Sequence, residues 1–202
     1  MNRFEILDKG MGLMKTFILV RHCKAEGQEE GAILTEEGKK EAINLITYLN
    51  KVNCKITKII SSPYERAVKT IEPYAKEVGL SIQIDNRLSE RRLSNKSLTN
   101  WLELLKQTFD DIDLVIEGGE STREATERAI NLIREEIEYS KEQNTLLVTH
   151  GNLMSLILRY FDESFGFNEW ANLTNPDVYR IDIEDNQISI KRLWDPMAYH
   201  SI

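Results

Sequence analysis

The stretch Thr16-Phe17-Ile18-Leu19-Val20-Arg21-His22 decides the fold. Its first five residues favour β-structure and read as a buried strand, and the abrupt change to Arg21-His22-Cys23-Lys24 opens the carboxyl end of that strand on a site. Thr145-Leu146-Leu147-Val148-Thr149 repeats the arrangement and runs into His150-Gly151-Asn152. Two of the three histidines therefore follow strand ends. In open α/β sheets ligands bind outside the carboxyl ends of the strands, so two histidines far apart in the chain can converge there. For either histidine alone the plainer reading, that it merely ends a strand, stays open.

Ile59-Ile60-Ser61-Ser62-Pro63-Tyr64-Glu65-Arg66 ends another strand and starts a helix. Ser62 reads as the N-cap, Pro63 as the first helical residue and Glu65 as the partner in a capping box, which puts Arg66 in the first turn. Free amides at a helix N-terminus together with a planar guanidinium make an anion site. A lone arginine would by default lie on the surface.

The rest of the chain fits around these strands. Residues 35–51 read as a helix with Ala42, Ile46 and Leu49 on one face and Ile43 beside them, followed by a strand over 56–60. Strand, helix and strand make a βαβ unit, hence a right-handed crossover and a parallel sheet. The helix after Ser62 should bury Ala67, Ile71, Tyr74 and Val78, kink or break near Glu72 because of Pro73, and close at Gly79. Residues 81–85 alternate as a strand, 87–99 are polar and irregular, and Trp101, Leu102, Leu105 and Phe109 mark a short helix. Ser121 and Glu124 form a capping box for a long helix with Ile130, Ile133 and Ile137 as its core stripe. Asn152 is expected to cap a helix over 153–160, and residues 178–184 and 187–193 alternate around Asp185-Asn186 as a hairpin. The expected fold is an α/β three-layer sandwich: a mostly parallel central sheet, helices on both faces and a C-terminal β-hairpin. It forms one domain over residues 15–202, behind a disordered extension over 1–14; removal of residues 1–13 should leave folding and activity nearly unchanged.

Composition narrows the function. The 202 residues suit one domain with a full core. No run approaches the roughly 20 apolar residues of a membrane span, and Met1-Asn2-Arg3-Phe4-Glu5 is no secretory signal, so a cytoplasmic protein without membrane contact is expected. Cys23 and Cys54 are too few for a disulfide framework and show no zinc-ligand spacing, and the Asp110-Asp111-Ile112-Asp113 run lacks the glycine and terminal glutamate of a calcium loop. A net charge of −7 argues against nucleic acid as a partner, so an anionic substrate must be drawn by a local basic pocket. Arg21 and Arg66 would supply it. Arg91, Arg92 and Lys96 form either its rim or an ordinary solvated face.

Arg21-His22 after an apolar strand, Ser61-Ser62-Pro63 with Arg66-Ala67 and Thr70, and Val148-Thr149-His150-Gly151-Asn152 resemble the motifs of the histidine phosphatase superfamily, which includes the phosphoglycerate mutases. Leu34-Thr35, Gly38 and Gly118-Gly119-Glu120-Ser121 extend the match in the family's order. The resemblance implies transfer of a phosphoryl group to a histidine and hydrolysis of the phosphohistidine, without metal or organic cofactor. His22 matches the nucleophile, and Arg21, Arg66 and His150 match the groups that bind the phosphoryl oxygens, His150 belonging also to the catalytic set. Glu90, in Leu88-Ser89-Glu90, matches the proton donor, with Glu120 in reserve. The sequence departs from the family where Cys23 replaces the usual glycine, Lys24-Ala25 the common Glu-Thr, and Gln28 an asparagine that touches phosphate. Beside His22 and Arg21, Cys23 is expected to be a reactive thiol that bound phosphate would shield. His200 matches no motif and is expected at the surface.

The expected activity is hydrolysis of a small phosphorylated metabolite. One alternative is a phosphoglycerate mutase, disfavoured because the chain is short and lacks the arginine-rich segment that mutases carry after the proton donor. Another is a non-catalytic domain that binds a phosphorylated ligand. A homodimer is left open by the sequence.

Overall fold

Alternate residues of β1 (Lys15–Arg21) face opposite sides of a sheet: Phe17 and Leu19 enter one apolar cluster, Ile18 and Val20 the other. A strand buried on both faces needs helices on both faces. On the Ile18 side these are α1 (Glu36–Lys51), through Leu45 and Leu49, and α2 (Glu65–Val78), through Ala67, Ile71 and Tyr74. On the Phe17 side, α3 (Trp101–Asp110), α4 (Thr122–Glu138) and α5 (Gly151–Phe161) supply most of the larger cluster, with the short α6 (Phe167–Ala171) packed against it. The computed structural model that carries these elements describes residues 14–185 and 187–194. Residues 1–13 of the expected N-terminal extension, Asn186 and His200 lie outside the described residues.

The remaining strands are β2 (Lys58–Ser61), β3 (Ile82–Ile84), β4 (Asn144–Thr149), β5 (Asp177–Glu184) and β6 (Gln187–Arg192). They form one six-stranded sheet in the order β3-β2-β4-β1-β5-β6. The β1–β4, β2–β4 and β2–β3 pairs are parallel, and the hairpin β5–β6 adds antiparallel to β1. Among the described residues no helix is long and apolar enough to cross a membrane.

Several local expectations needed correction. Helix α2 runs unbroken through Pro73, because Ile71 before it and Tyr74 and Ala75 after it are buried in the same core. That packing offsets the lost backbone hydrogen bond. Gly79 closes the helix at φ 71°, in the left-handed region. Val78 is exposed, and on α1 Leu45 is fully buried while Ile43 is exposed. The start of α2 falls at Glu65 rather than Pro63, with Tyr64 at the cap and no side-chain cap bond. Helix α5 begins at Gly151, so Asn152 lies inside its first turn instead of capping it. The capping box of Ser121 and Glu124 on α4 forms as expected.

Candidate active site

Register alone brings the two histidines together. Arg21 pairs with Thr149 across β1 and β4, so His22 and His150 follow side by side, and the His22 amide donates to Thr149 O at 3.0 Å. Ser61 pairs with Val148 in the same way, which sets Ser62 next to Thr149. The ring centroids of His22 and His150 are 5.1 Å apart.

His22 is 5% exposed. Its Nδ1 lies 2.6 Å from the Cys23 carbonyl, a pure acceptor, so Nδ1 carries the proton and Nε2 keeps its lone pair. Arg66 Nε donates to that Nε2 at 3.2 Å. Burial, aided by the positive charges of Arg66 and Arg21 against the opposing pull of the Cys23 carbonyl, pushes His22 down to about 3. The ring is therefore a neutral imidazole at any physiological pH. His150 is fully buried and held well below its ordinary value by burial, by His22 and by the nearby guanidiniums. Its Nε2 meets Ser62 Oγ at 2.7 Å. With that hydroxyl donating, Nδ1 becomes the protonated nitrogen, free to donate elsewhere.

The arginines are fixed from behind. Arg66 is fully buried, donates from Nη1 to Glu29 O at 2.7 Å and lies over the Tyr64 ring at 4.8 Å. Arg21 Nη1 donates to Leu173 O at 3.1 Å and Thr174 O at 3.3 Å, in the loop that precedes β5. Gly151 makes room for it: a Cβ there would stand 2.8 Å from Arg21 Cζ. Among the described residues, five buried side-chain atoms have no hydrogen-bond partner: Arg21 Nε, Arg66 Nη2, His150 Nδ1 and both amide atoms of Asn152. An unsatisfied buried polar group costs about 1–3 kcal/mol, and all five lie on residues at the end of β1, just after β4 or in the first turns of α2 and α5, which marks a site rather than random imperfection. Most are N–H groups, which suits an oxyanion.

Glu90 closes the site from above the sheet. Its carboxylate accepts from the amides of Asn152 at 3.1 Å and Leu153 at 2.9 Å on the first turn of α5, and from Arg91 N at 2.8 Å. It lines a cavity of about 590 Å³ together with Arg21, Gln28, Gly151 and Asn152. Gln28 is exposed at the mouth of that cavity. Glu120 does not line that cavity; its carboxylate is ion-paired with Arg128 at 2.6 and 3.0 Å and accepts from Arg92 N at 3.2 Å.

The structure overturns two further expectations. Arg91 is no free charge at the rim: it borders the cavity but is 5% exposed, and its guanidinium bonds Thr108 Oγ1 and Glu120 O. Arg92 and Lys96 are exposed; Lys96 borders the same cavity, and Arg92 borders a neighbouring one that also includes Glu90 and Tyr64. Cys23 is not a reactive thiol. Its side chain packs with Leu34 and Ala42 and is fully buried, and burial pushes it up to about 12. Only its backbone serves the site, which explains how the usual glycine can be replaced. Sequence reading also missed Tyr64 as a neighbour of both Arg66 and His150, and missed that the Ser62 hydroxyl, which accepts from the Tyr64 amide at 3.3 Å, also meets His150. No periodicity announces either role. Among the described residues no cluster of three or more His, Cys, Asp or Glu side chains is placed to hold a metal ion.

A neutral imidazole beside two guanidiniums, at the carboxyl edge of the parallel strands, is the centre of this α/β fold. The chain belongs to the histidine phosphatase superfamily (branch 1), whose sequence profile matches residues 17–196. An Escherichia fergusonii protein named "Probable phosphoglycerate mutase GpmB" is 29% identical over 191 residues, 84% of this chain and 85% of its own. In structure the chain is similar to a mycobacterial glucosyl-3-phosphoglycerate phosphatase, with TM-score 0.69 at 20% identity over 89% of this chain and 97% of that one. It is similar as well to the alpha-ribazole phosphatase of Shigella flexneri, with TM-score 0.69 at 20% identity over 88% of this chain and 95% of that one. These structural likenesses concern the fold. The superfamily itself places the protein among enzymes that act on phosphate esters.

Proposed function

We propose that the protein hydrolyses phosphate monoesters in two steps through a phosphohistidine on His22. His22 Nε2 attacks phosphorus and the bond to the leaving oxygen breaks, while Glu90 gives that oxygen a proton. Water then attacks the phosphohistidine, Glu90 takes its proton, and inorganic phosphate leaves. Arg21, Arg66 and His150 neutralise the charge that spreads over the phosphoryl oxygens, each such donor contributing about 3–4 kcal/mol in the transition state. Gln28 reaches the same oxygens from the cavity mouth. The observation that carries this reading is the lone pair of His22 Nε2, which faces Arg66 amid buried N–H groups that no protein atom satisfies. A small phosphorylated metabolite, rather than nucleic acid or membrane, is the partner that suits a charge of −7.

The relative named for mutase activity keeps a second reading in play, transfer of phosphate within phosphoglycerate. Against it, the cavity's cations other than Arg21 are already engaged: Arg91 with Thr108 and Glu120 O, Lys96 with Glu117. A panel of phosphate monoesters assayed in excess EDTA tests the proposal, with steady release of inorganic phosphate expected. With 3-phosphoglycerate, with or without a bisphosphoglycerate primer, no 2-phosphoglycerate should form. Efficient isomerisation would establish the mutase, and phosphate binding without any turnover would establish a binding domain.

A further inference from the structure

The cavity that holds Arg21 and Glu90 extends away from the sheet edge to a second wall of different character. Leu93 and Leu98, from the irregular segment after Glu90, join Trp101 and Leu105 of α3 and Trp170 of α6 there. The two indoles stand edge to face, with centroids 6.4 Å apart and planes at 83°. Trp170 is held from behind by Phe167, 5.3 Å away and tilted by 34°. Trp101 is 50% exposed, so half of its surface remains open to a ligand. Most polar side chains of this wall bond elsewhere: Ser94 Oγ donates to Glu117 O at 2.9 Å, Lys96 forms a surface pair with the Glu117 carboxylate, and Arg91 bonds Thr108 and Glu120 O, while Ser97 is exposed. A group that extends from the phosphoryl site past Glu90 thus meets indole and leucine surface.

We infer that this wall is the leaving-group subsite and that the preferred substrates are phosphomonoesters of aromatic alcohols, the ring lying against Trp101 and Trp170. The inference rests on the phosphatase reading for its chemistry, but the subsite itself is a matter of binding. Aromatic pairs in offset or edge-to-face contact gain over and above their buried area, which favours an aryl group over an aliphatic one of equal size. Two rings at right angles offer a planar guest a stacked contact and an edge contact at once.

Titration calorimetry of the full chain with three non-hydrolysable anions separates these possibilities: benzylphosphonate, cyclohexylmethylphosphonate and methylphosphonate. Benzylphosphonate should bind about tenfold more tightly than methylphosphonate and about threefold more tightly than its saturated counterpart. Trp101→Ala should erase most of the benzyl margin and Trp101→Phe should keep most of it. Trp170→Ala, with its melting temperature recorded as a check on folding, should erase it as well. Equal affinities for the three anions, a cyclohexyl ligand as good as the benzyl one, or a margin that survives both alanine variants would overturn the inference. Phenyl phosphate turnover is followed in parallel. Turnover without the phosphonate pattern refutes the subsite alone; the pattern without turnover refutes the catalytic reading and upholds the subsite.

Discussion

The two ends of the cavity are built in opposite ways. At the sheet edge, His22, His150 and Ser62 follow directly on strands paired residue for residue, and each functional side chain is gripped by a backbone carbonyl or a neighbouring ring. The far wall hangs on the irregular residues after Glu90 and on the short helices α3 and α6, and its side chains offer mainly apolar surface. Chemistry needs atoms held to a fraction of an ångström, which a hydrogen-bonded sheet provides. Recognition of a leaving group needs only shape and apolar area, which a loop can vary without disturbing the sheet.

That contrast ranks the substitutions. His22→Ala should remove turnover altogether, since it deletes the imidazole whose Nε2 faces Arg66 and is the proposed nucleophile; steady-state phosphate release measures it. Arg66→Ala should lower kcat/KM by about 10²–10³, the effect of losing one charge-stabilising donor. Arg66→Lys should recover little of this, because an ammonium cannot reproduce the Nε bond to His22 together with the Nη1 bond to Glu29 O. Glu90→Gln should slow alkyl phosphates far more than p-nitrophenyl phosphate in the phosphorylation step, because nitrophenolate leaves without a proton. An equal effect on both substrates would move the acid elsewhere.

A smaller effect concerns stability against acid. His22 has its value pushed down to about 3 in the folded chain, against about 6.5 when unfolded, and His150 is lowered in the same direction. Between those values the unfolded chain binds protons that the folded chain refuses, so stability falls as the pH drops through that window. The melting temperature should decline from about pH 7 to about pH 4, and His22→Ala should decline less steeply over that range. Parallel curves for the two proteins would show that His22 is not held neutral by the fold.

The sheet edge was legible in the sequence because strand ends leave a sharp mark: apolar β-branched runs break off at Arg21-His22, Ser61-Ser62 and His150-Gly151, and parallel pairing must align them. Glu90 was found through its place after β3 in a family pattern. What the sequence could not show lies in contacts without period. Pro73 was read by its local cost, whereas the buried stripe on both sides of it decides that α2 continues. Cys23 was judged by its neighbours in sequence, but its side chain points into a small cluster with Leu34 and Ala42, away from Arg21. Ser62 was read only as a helix cap, but its hydroxyl meets His150 at 2.7 Å as well as accepting from the Tyr64 amide at 3.3 Å, and only the fold shows the first contact. Trp170 carried no motif at all, and it reaches the cavity through the packing of α6 on the core beneath it and on Trp101.

The most direct test is rapid-quench trapping of the enzyme with a ³²P-labelled phosphate monoester, followed by digestion and mapping of the label. The phosphoenzyme should be labile to acid and stable to base, its label should lie on His22, and it should vanish in His22→Ala together with turnover. Label on any other residue, or full turnover by His22→Ala, would contradict a phosphohistidine at the end of β1.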